Sequence, residues 1–163
     1  MLAVALWPGK AAAEVTVLRG AEALRFALEA TASAQHPTVV HFFATWCGDC
    51  VREMPVLQKA IASVQAQGAT VILISLDPLE GGRAKVERFL KRFRLDQPVY
   101  LLDAPDPEPV AALFHTAWDG ALPATFVLMR GERTASFIGP LRNGDRLEAA
   151  VRQASGVTAP AGR

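Results

Sequence analysis

From Glu14 onward, short runs rich in β-branched and aromatic residues alternate with stretches whose apolar residues recur at helical spacing. That is the pattern of a sheet covered by helices on both faces. Val15 to Leu18 predicts an edge strand, and Ala21 to Ala32 a helix with Leu24, Ala27 and Leu28 on its inner face. The sharpest strand is Thr38-Val39-Val40-His41-Phe42-Phe43, where only Thr38 and His41 interrupt apolar residues on both alternating faces. It reads as a central parallel strand buried from both sides. A helix follows from near Cys47 to about Gln67, with Gly68 as its stop signal and Pro55 as an internal kink. Thr70 to Leu76 predicts the next strand. Val86, Phe89, Leu90 and Phe93 are spaced i, i+3, i+4, i+7 and predict a helix over Arg83 to Leu95, before a short strand at Val99 to Leu102. Asp106-Pro107 reads as an N-cap followed by proline at the first helical position, opening a short helix that ends near Phe114. Thr125 to Met129 and Thr134 to Ile138 flank Arg130-Gly131-Glu132-Arg133 as a hairpin, and Asp145 to Ala154 predicts a closing helix. There is no internal repeat and no second core, so residues 14–156 read as one α/β domain.

Composition narrows the function. In 163 residues, 51% are hydrophobic and 20% charged, which excludes a disordered chain. The longest apolar runs fall short of the roughly 18 residues that a membrane-spanning helix needs. A formal net charge of +1 supplies no global field for a polyanion, so nucleic acid is not an expected partner. Met1 to Trp7 is nearly all apolar, and Ala11-Ala12-Ala13 resembles a small-residue cleavage site. Residues 1–13 therefore read as the remnant of an export signal, or alternatively as a disordered arm; the segment is short and lacks a basic residue before its apolar run. Residues 157–163 read as a disordered tail.

The two cysteines, Cys47 and Cys50, are too few for a disulfide scaffold or a four-thiolate zinc site. A bridge across so short a loop removes little unfolded-state entropy, so redox chemistry is the better reason for the spacing. The segment from Phe43 to Cys50 leaves a buried strand and enters a helix, placing Cys47 at the helix N-terminus and Cys50 one turn later. Unpaired N–H groups and the positive end of the helix dipole stabilise a thiolate at the first position. Cys47 is the expected nucleophile. Cys50 is expected to attack the mixed disulfide that Cys47 forms.

Trp46-Cys47-Gly48-Asp49-Cys50 after a strand, Pro55 eight residues past the first cysteine, and Leu122-Pro123 before a late strand resemble the thioredoxin superfamily over residues 15–156. Cys50-Val51-Arg52-Glu53-Met54-Pro55 and Leu122-Pro123-Ala124-Thr125-Phe126 are most similar to its TlpA and ResA branch of exported thiol–disulfide reductases. The helix and strand inserted between Arg83 and Leu102 also resemble that branch. The resemblance implies a thioredoxin-like fold, a central mixed sheet flanked by helices. It implies too that Pro123 is cis and lies against the active-site disulfide, with flanking backbone at Leu122 offering strand-like hydrogen bonds to a bound polypeptide.

Other residues carry two readings each. His41 is a departure from the buried acid of thioredoxins: it is either a proton acceptor beneath Cys50 or a hydrogen-bonded core histidine. Glu53, where the TlpA-like pattern also has a glutamate, is either a partly buried carboxylate that relays protons to Cys50 or opposes thiolate formation, or a solvated helix residue paired with Arg52 or Lys59. Asp49 between the cysteines favours a reductant, softened by solvent screening. Trp46 reads as an aromatic shield beside the nucleophile. Gly139 serves either close backbone approach or the turn before Pro140. Arg83, Lys85, Arg88, Lys91, Arg92 and Arg94 face the single acid Glu87 and form either a docking face or the solvated side of an amphipathic helix. His115 and Trp118 line a groove or belong to the core.

The expected function is thiol–disulfide oxidoreductase, reducing protein disulfides as a monomer in the periplasm or another exported compartment, with or without membrane association. Its partners are a disulfide-containing protein and a membrane or soluble thiol donor; no cofactor or metal is expected. The alternatives are an oxidase built from the same parts, and a copper or soft-metal carrier using Cys47, Cys50 and His41 or His115. Peroxidase activity is disfavoured, because the Pro-x-x-x-Thr-x-x-Cys pattern is absent around Cys47.

Overall fold

The computed structural model describes residues 14–114 and 116–156; the leader-like segment 1–13, His115 and the tail 157–163 lie outside the described residues. Along the chain run β1 (Val15–Arg19), α1 (Gly20–Ala32), β2 (Thr38–Phe43), α2 (Gly48–Ala66), β3 (Thr70–Ser75), α3 (Leu79–Phe93), β4 (Val99–Asp103), α4 (Glu108–Ala112), β5 (Ala124–Met129), β6 (Glu132–Ile138) and α5 (Asp145–Ala154). The strands form one sheet in the order β1-β4-β3-β2-β5-β6. β2 is parallel to β3 and antiparallel to β5, so the sheet is mixed around its central strand. The helix-and-strand insert places β4 between β1 and β3, parallel to both.

Period-two alternation along β2 divides its residues between two cores. Val39 and Phe43 pack with Leu57, Ile61, Phe89 and Leu147 under α2, α3 and α5. Val40 and Phe42 pack with Leu24, Phe114, Trp118 and Phe126 under α1 and α4. Every residue of β2 is buried, as apolar residues on both of its alternating faces require.

Three elements differ from the pattern-based expectation by more than one residue. α3 begins at Leu79 rather than Arg83, in two pieces joined across the non-helical Glu80 and Gly81, the latter at φ 69°; glycine permits that joint, and apolar spacing detects only the second piece. The short helix starts at Glu108 and ends at Ala112, capped by Leu113 rather than reaching Phe114, while Asp106 Oδ1 accepts the Glu108 amide at 3.0 Å. The hairpin loop is two residues, Arg130 and Gly131, both at positive φ (53° and 82°), and β6 begins at Glu132. A bulge between Val127 and Leu128 absorbs Thr134, which had marked the expected strand start. Pro55 lies inside α2, as its place in the expected helix implies.

Candidate active site

The loop from β2 to α2 is set by a buried polar anchor. Asp77, just past β3, is 2% exposed; its carboxylate accepts the Thr45 amide at 2.9 Å, the Ser75 hydroxyl at 2.8 Å and the Thr45 hydroxyl. The Asp77 amide in turn donates to Ser75 Oγ at 3.0 Å. With Thr45 held, the chain turns so that Cys47 becomes the N-cap of α2 and its sulfur accepts the Cys50 amide at 3.2 Å. That amide is one of the donors a helix start leaves without an intrahelical partner, so the first sulfur replaces the usual capping oxygen.

Cys47 and Cys50 are disulfide-bonded, with their Cα atoms 5.3 Å apart. Cys47 is 8% exposed and Cys50 fully buried, so an incoming sulfur has access only to the first. Trp46 beside them is 66% exposed. Asp49 and Arg52 pair with each other at the surface, which further offsets the acid's field on the sulfurs.

The Leu122–Pro123 peptide bond is cis. Pro123 immediately precedes β5, whose Ala124 pairs with Phe42 near the end of β2, so the proline and the disulfide share one end of the sheet. Gly139, at φ 94°, donates its amide to the Pro123 carbonyl at 2.8 Å. A side chain at Gly139 would meet no atom within 4 Å, so the backbone conformation, not crowding, requires glycine there.

Behind the disulfide lies a sealed polar set. His41 and Glu53 side chains are 0% and 1% exposed, with Nε2 and Oε1 3.1 Å apart. The separation is that of an ion pair, but the ring N–H and carboxylate are not aligned for a hydrogen bond. His41 Nδ1 shares a 2.9 Å hydrogen bond with Thr125 Oγ1, its directly opposed residue on β5. Glu53 Oε2 accepts the Leu141 amide at 2.8 Å. Glu53 lies one turn beyond Cys50 on the buried face of α2, so the solvated reading of this residue is incorrect: Arg52 pairs with Asp49 instead.

The geometry gathers Cys47, Cys50, Trp46, Leu122, Pro123 and Gly139 at one end of the sheet, with His41 and Glu53 beneath. Trp118 belongs to the core: it packs on Phe42 and donates Nε1–H to the Ala121 carbonyl at 2.8 Å, fixing the loop before Pro123. All six basic residues of α3 and its end are exposed. Among the described residues, no group of three or more His, Cys, Asp or Glu side chains is placed to hold a metal ion. Sequence reasoning missed Asp77, Thr45, Thr125 and Leu141. Asp77 carried a signal, an acid directly after an apolar strand; Leu141 acts through its backbone amide and carried none.

A disulfide at a strand-to-helix turn and a cis-proline loop at the same end of a helix-covered mixed sheet define a thioredoxin-like protein. Solved structures agree: StoA from Bacillus subtilis is 26% identical with a TM-score of 0.55, covering 71% of this chain and 82% of that one. A thioredoxin-related protein from Neisseria meningitidis serogroup B is 27% identical with a TM-score of 0.59, covering 74% and 85%. The AhpC/TSA family model matches residues 8–132, and the chain belongs to that family. Among curated relatives, the thiol-disulfide oxidoreductase ResA of Geobacillus thermodenitrificans is 28% identical over 100 residues, 61% of this chain. The chain spans about half of that relative's length, 52%.

Proposed function

We propose that this chain is a thiol–disulfide oxidoreductase that reduces protein disulfides, with Cys47 as nucleophile and Cys50 as resolving thiol. The observation that carries this reading is the unequal access of two bonded sulfurs, 8% exposed against none, at the start of a helix. In the reduced protein the Cys47 thiolate attacks one substrate sulfur; the substrate S–S bond breaks, a mixed disulfide forms, and the first substrate thiolate takes up a proton. Cys50 then loses its proton and attacks Cys47 Sγ, releasing the second substrate thiol and leaving the Cys47–Cys50 disulfide. A thiol donor, membrane-bound or soluble, returns two electrons and two protons.

Glu53, one turn from Cys50, is the acceptor for the proton that Cys50 gives up, and His41 backs it. Trp46 shields the nucleophile, while Leu122, Pro123 and Gly139 present backbone to an extended substrate. The leader-like residues 1–13 support an exported site of action, where protein disulfides persist. The family name does not itself select peroxide chemistry, since Cys47 lacks the surrounding peroxidase pattern.

The test is Cys50→Ala, which removes the resolving step. Proteins from the exported fraction should remain covalently attached to Cys47 and be released by reductant. An empty trap from a folded variant would overturn the protein-disulfide reading. A reduction potential near the strong-oxidant value of about −120 mV would reverse the direction of electron flow.

A further inference from the structure

The loop that carries Gly139 and Leu141 continues into a groove of about 510 Å³ at the end of β6, bordered by Phe137, Ile138, Pro140, Arg142, Asn143 and Arg146. Among the described residues, no acidic one lines it. Arg142 and Arg146 are exposed, and among the described residues neither guanidinium meets a carboxylate. Arg146 lies over the Phe137 ring at 5.4 Å, which holds its charge on the groove side of α5. Ile138 is 53% exposed, and β6 is an outermost strand of the sheet, with one edge unpaired among the described residues. An apolar contact, an open strand edge and two unpaired cations make a surface for an extended, acidic polypeptide.

Two hydrogen bonds tie this groove to the reaction centre. The Gly139 amide reaches the Pro123 carbonyl, and the Leu141 amide reaches buried Glu53. The basic face of α3 has more charge but no such tie: Arg83 is directed to the Val15 carbonyl and Glu87, at the far edge of the sheet. We infer that the groove between β6 and α5 receives the segment flanking the substrate's disulfide, and that Arg142 and Arg146 select substrates with carboxylates in that segment. This inference rests on the exchange reading above and adds a substrate class to it.

The experiment uses the full-length reduced protein and two synthetic peptides, each closed by one internal disulfide and identical except for two Glu or two Gln residues beside a cysteine. Single-turnover reduction, followed by alkylation and mass spectrometry, should run about tenfold faster on the Glu peptide at low ionic strength. The ratio should fall toward one at about 0.5 M salt. Arg142→Ser with Arg146→Ser should bring the ratio near one at low salt, whereas Lys91→Ser with Arg92→Ser on α3 should leave it unchanged. Equal rates on the two peptides, or a preference that survives loss of both groove arginines, would overturn the inference while leaving exchange intact. Failure to reduce either peptide, or a small disulfide offered alongside, would overturn both.

Discussion

His41 and Phe42 are neighbours on β2, yet they face interiors of opposite character. Phe42 sits among Phe114, Trp118 and Phe126 at ring-centroid distances of 5.5, 4.7 and 5.8 Å. Apart from the Trp118 N–H, those side chains have no polar atom to satisfy, and the indole has its partner. His41 sits between Thr125 and Glu53, in an interior that also holds the buried Cys50. One strand therefore divides two tasks: the α1 side supplies dry aromatic packing, and the α2 side holds ionisable groups that the packing keeps in place. Burying the polar set is costly unless its hydrogen bonds are made. A stiff sheet with a tightly packed opposite face holds the geometry of the two that are made, His41 with Thr125 and the Leu141 amide to Glu53.

Phe126→Ala gives the largest expected effect and tests whether the two faces are separable. Phe126 is fully buried and stacks on Phe114 at 4.5 Å, so truncation should cost about 3–5 kcal/mol, read from the denaturant midpoint. Under conditions where the variant remains folded, its exchange rate per folded molecule should match the wild type. A loss of exchange beyond the unfolded fraction would show that the aromatic face also tunes the sulfurs.

Glu53→Gln probes the other face with little change in shape. The amide oxygen can still accept the Leu141 N–H, but the group can no longer take a proton from Cys50. Resolution of a preformed mixed disulfide should slow by about a hundredfold near neutral pH. The deficit should shrink as pH rises, because solvent base deprotonates the thiol without help from Glu53. A wild-type rate across the whole pH range would make the carboxylate purely architectural. Glu53→Ala should in addition destabilise the fold by about 1–3 kcal/mol, since it strands the buried Leu141 amide.

Much of this division was legible in the sequence. The apolar residues on both faces of β2 pointed to its central position, and the two thiols with Leu122-Pro123 to the site. His41 stood out because a histidine in such a strand needs partners, but its spacing could not say which ones. Those partners come from β5, 84 residues along, and from α2, and only strand register brings Thr125 opposite His41. The environment of Glu53 was harder to see: helical periodicity permits position 53 to be buried, but the contact that satisfies it is a backbone amide 88 residues away. The hairpin loop is shorter than expected because the strand signal began at the β-branched Thr134, which the pairing skips at the bulge, while the charged Glu132 and Arg133 pair with Met129 and Leu128.

The smallest expected effect comes from the two glycines at either end of β6. Gly131 and Gly139 have similar positive φ angles, 82° and 94°, but Gly131 lies near Ala32 on α1 while Gly139 joins the cis-proline loop to Glu53's partner. Each alanine substitution should cost about 1–2 kcal/mol of stability from the left-handed backbone alone. At Gly131 the new methyl meets Ala32 Cβ at 3.4 Å, an ordinary contact, and at Gly139 it meets nothing, so packing adds little in either case. The two variants should therefore be equally destabilised, while only Gly139→Ala should weaken peptide reduction, through the Pro123 and Leu141 hydrogen bonds that its conformation sets. Equal exchange rates in the two variants would detach the loop at residue 139 from the chemistry.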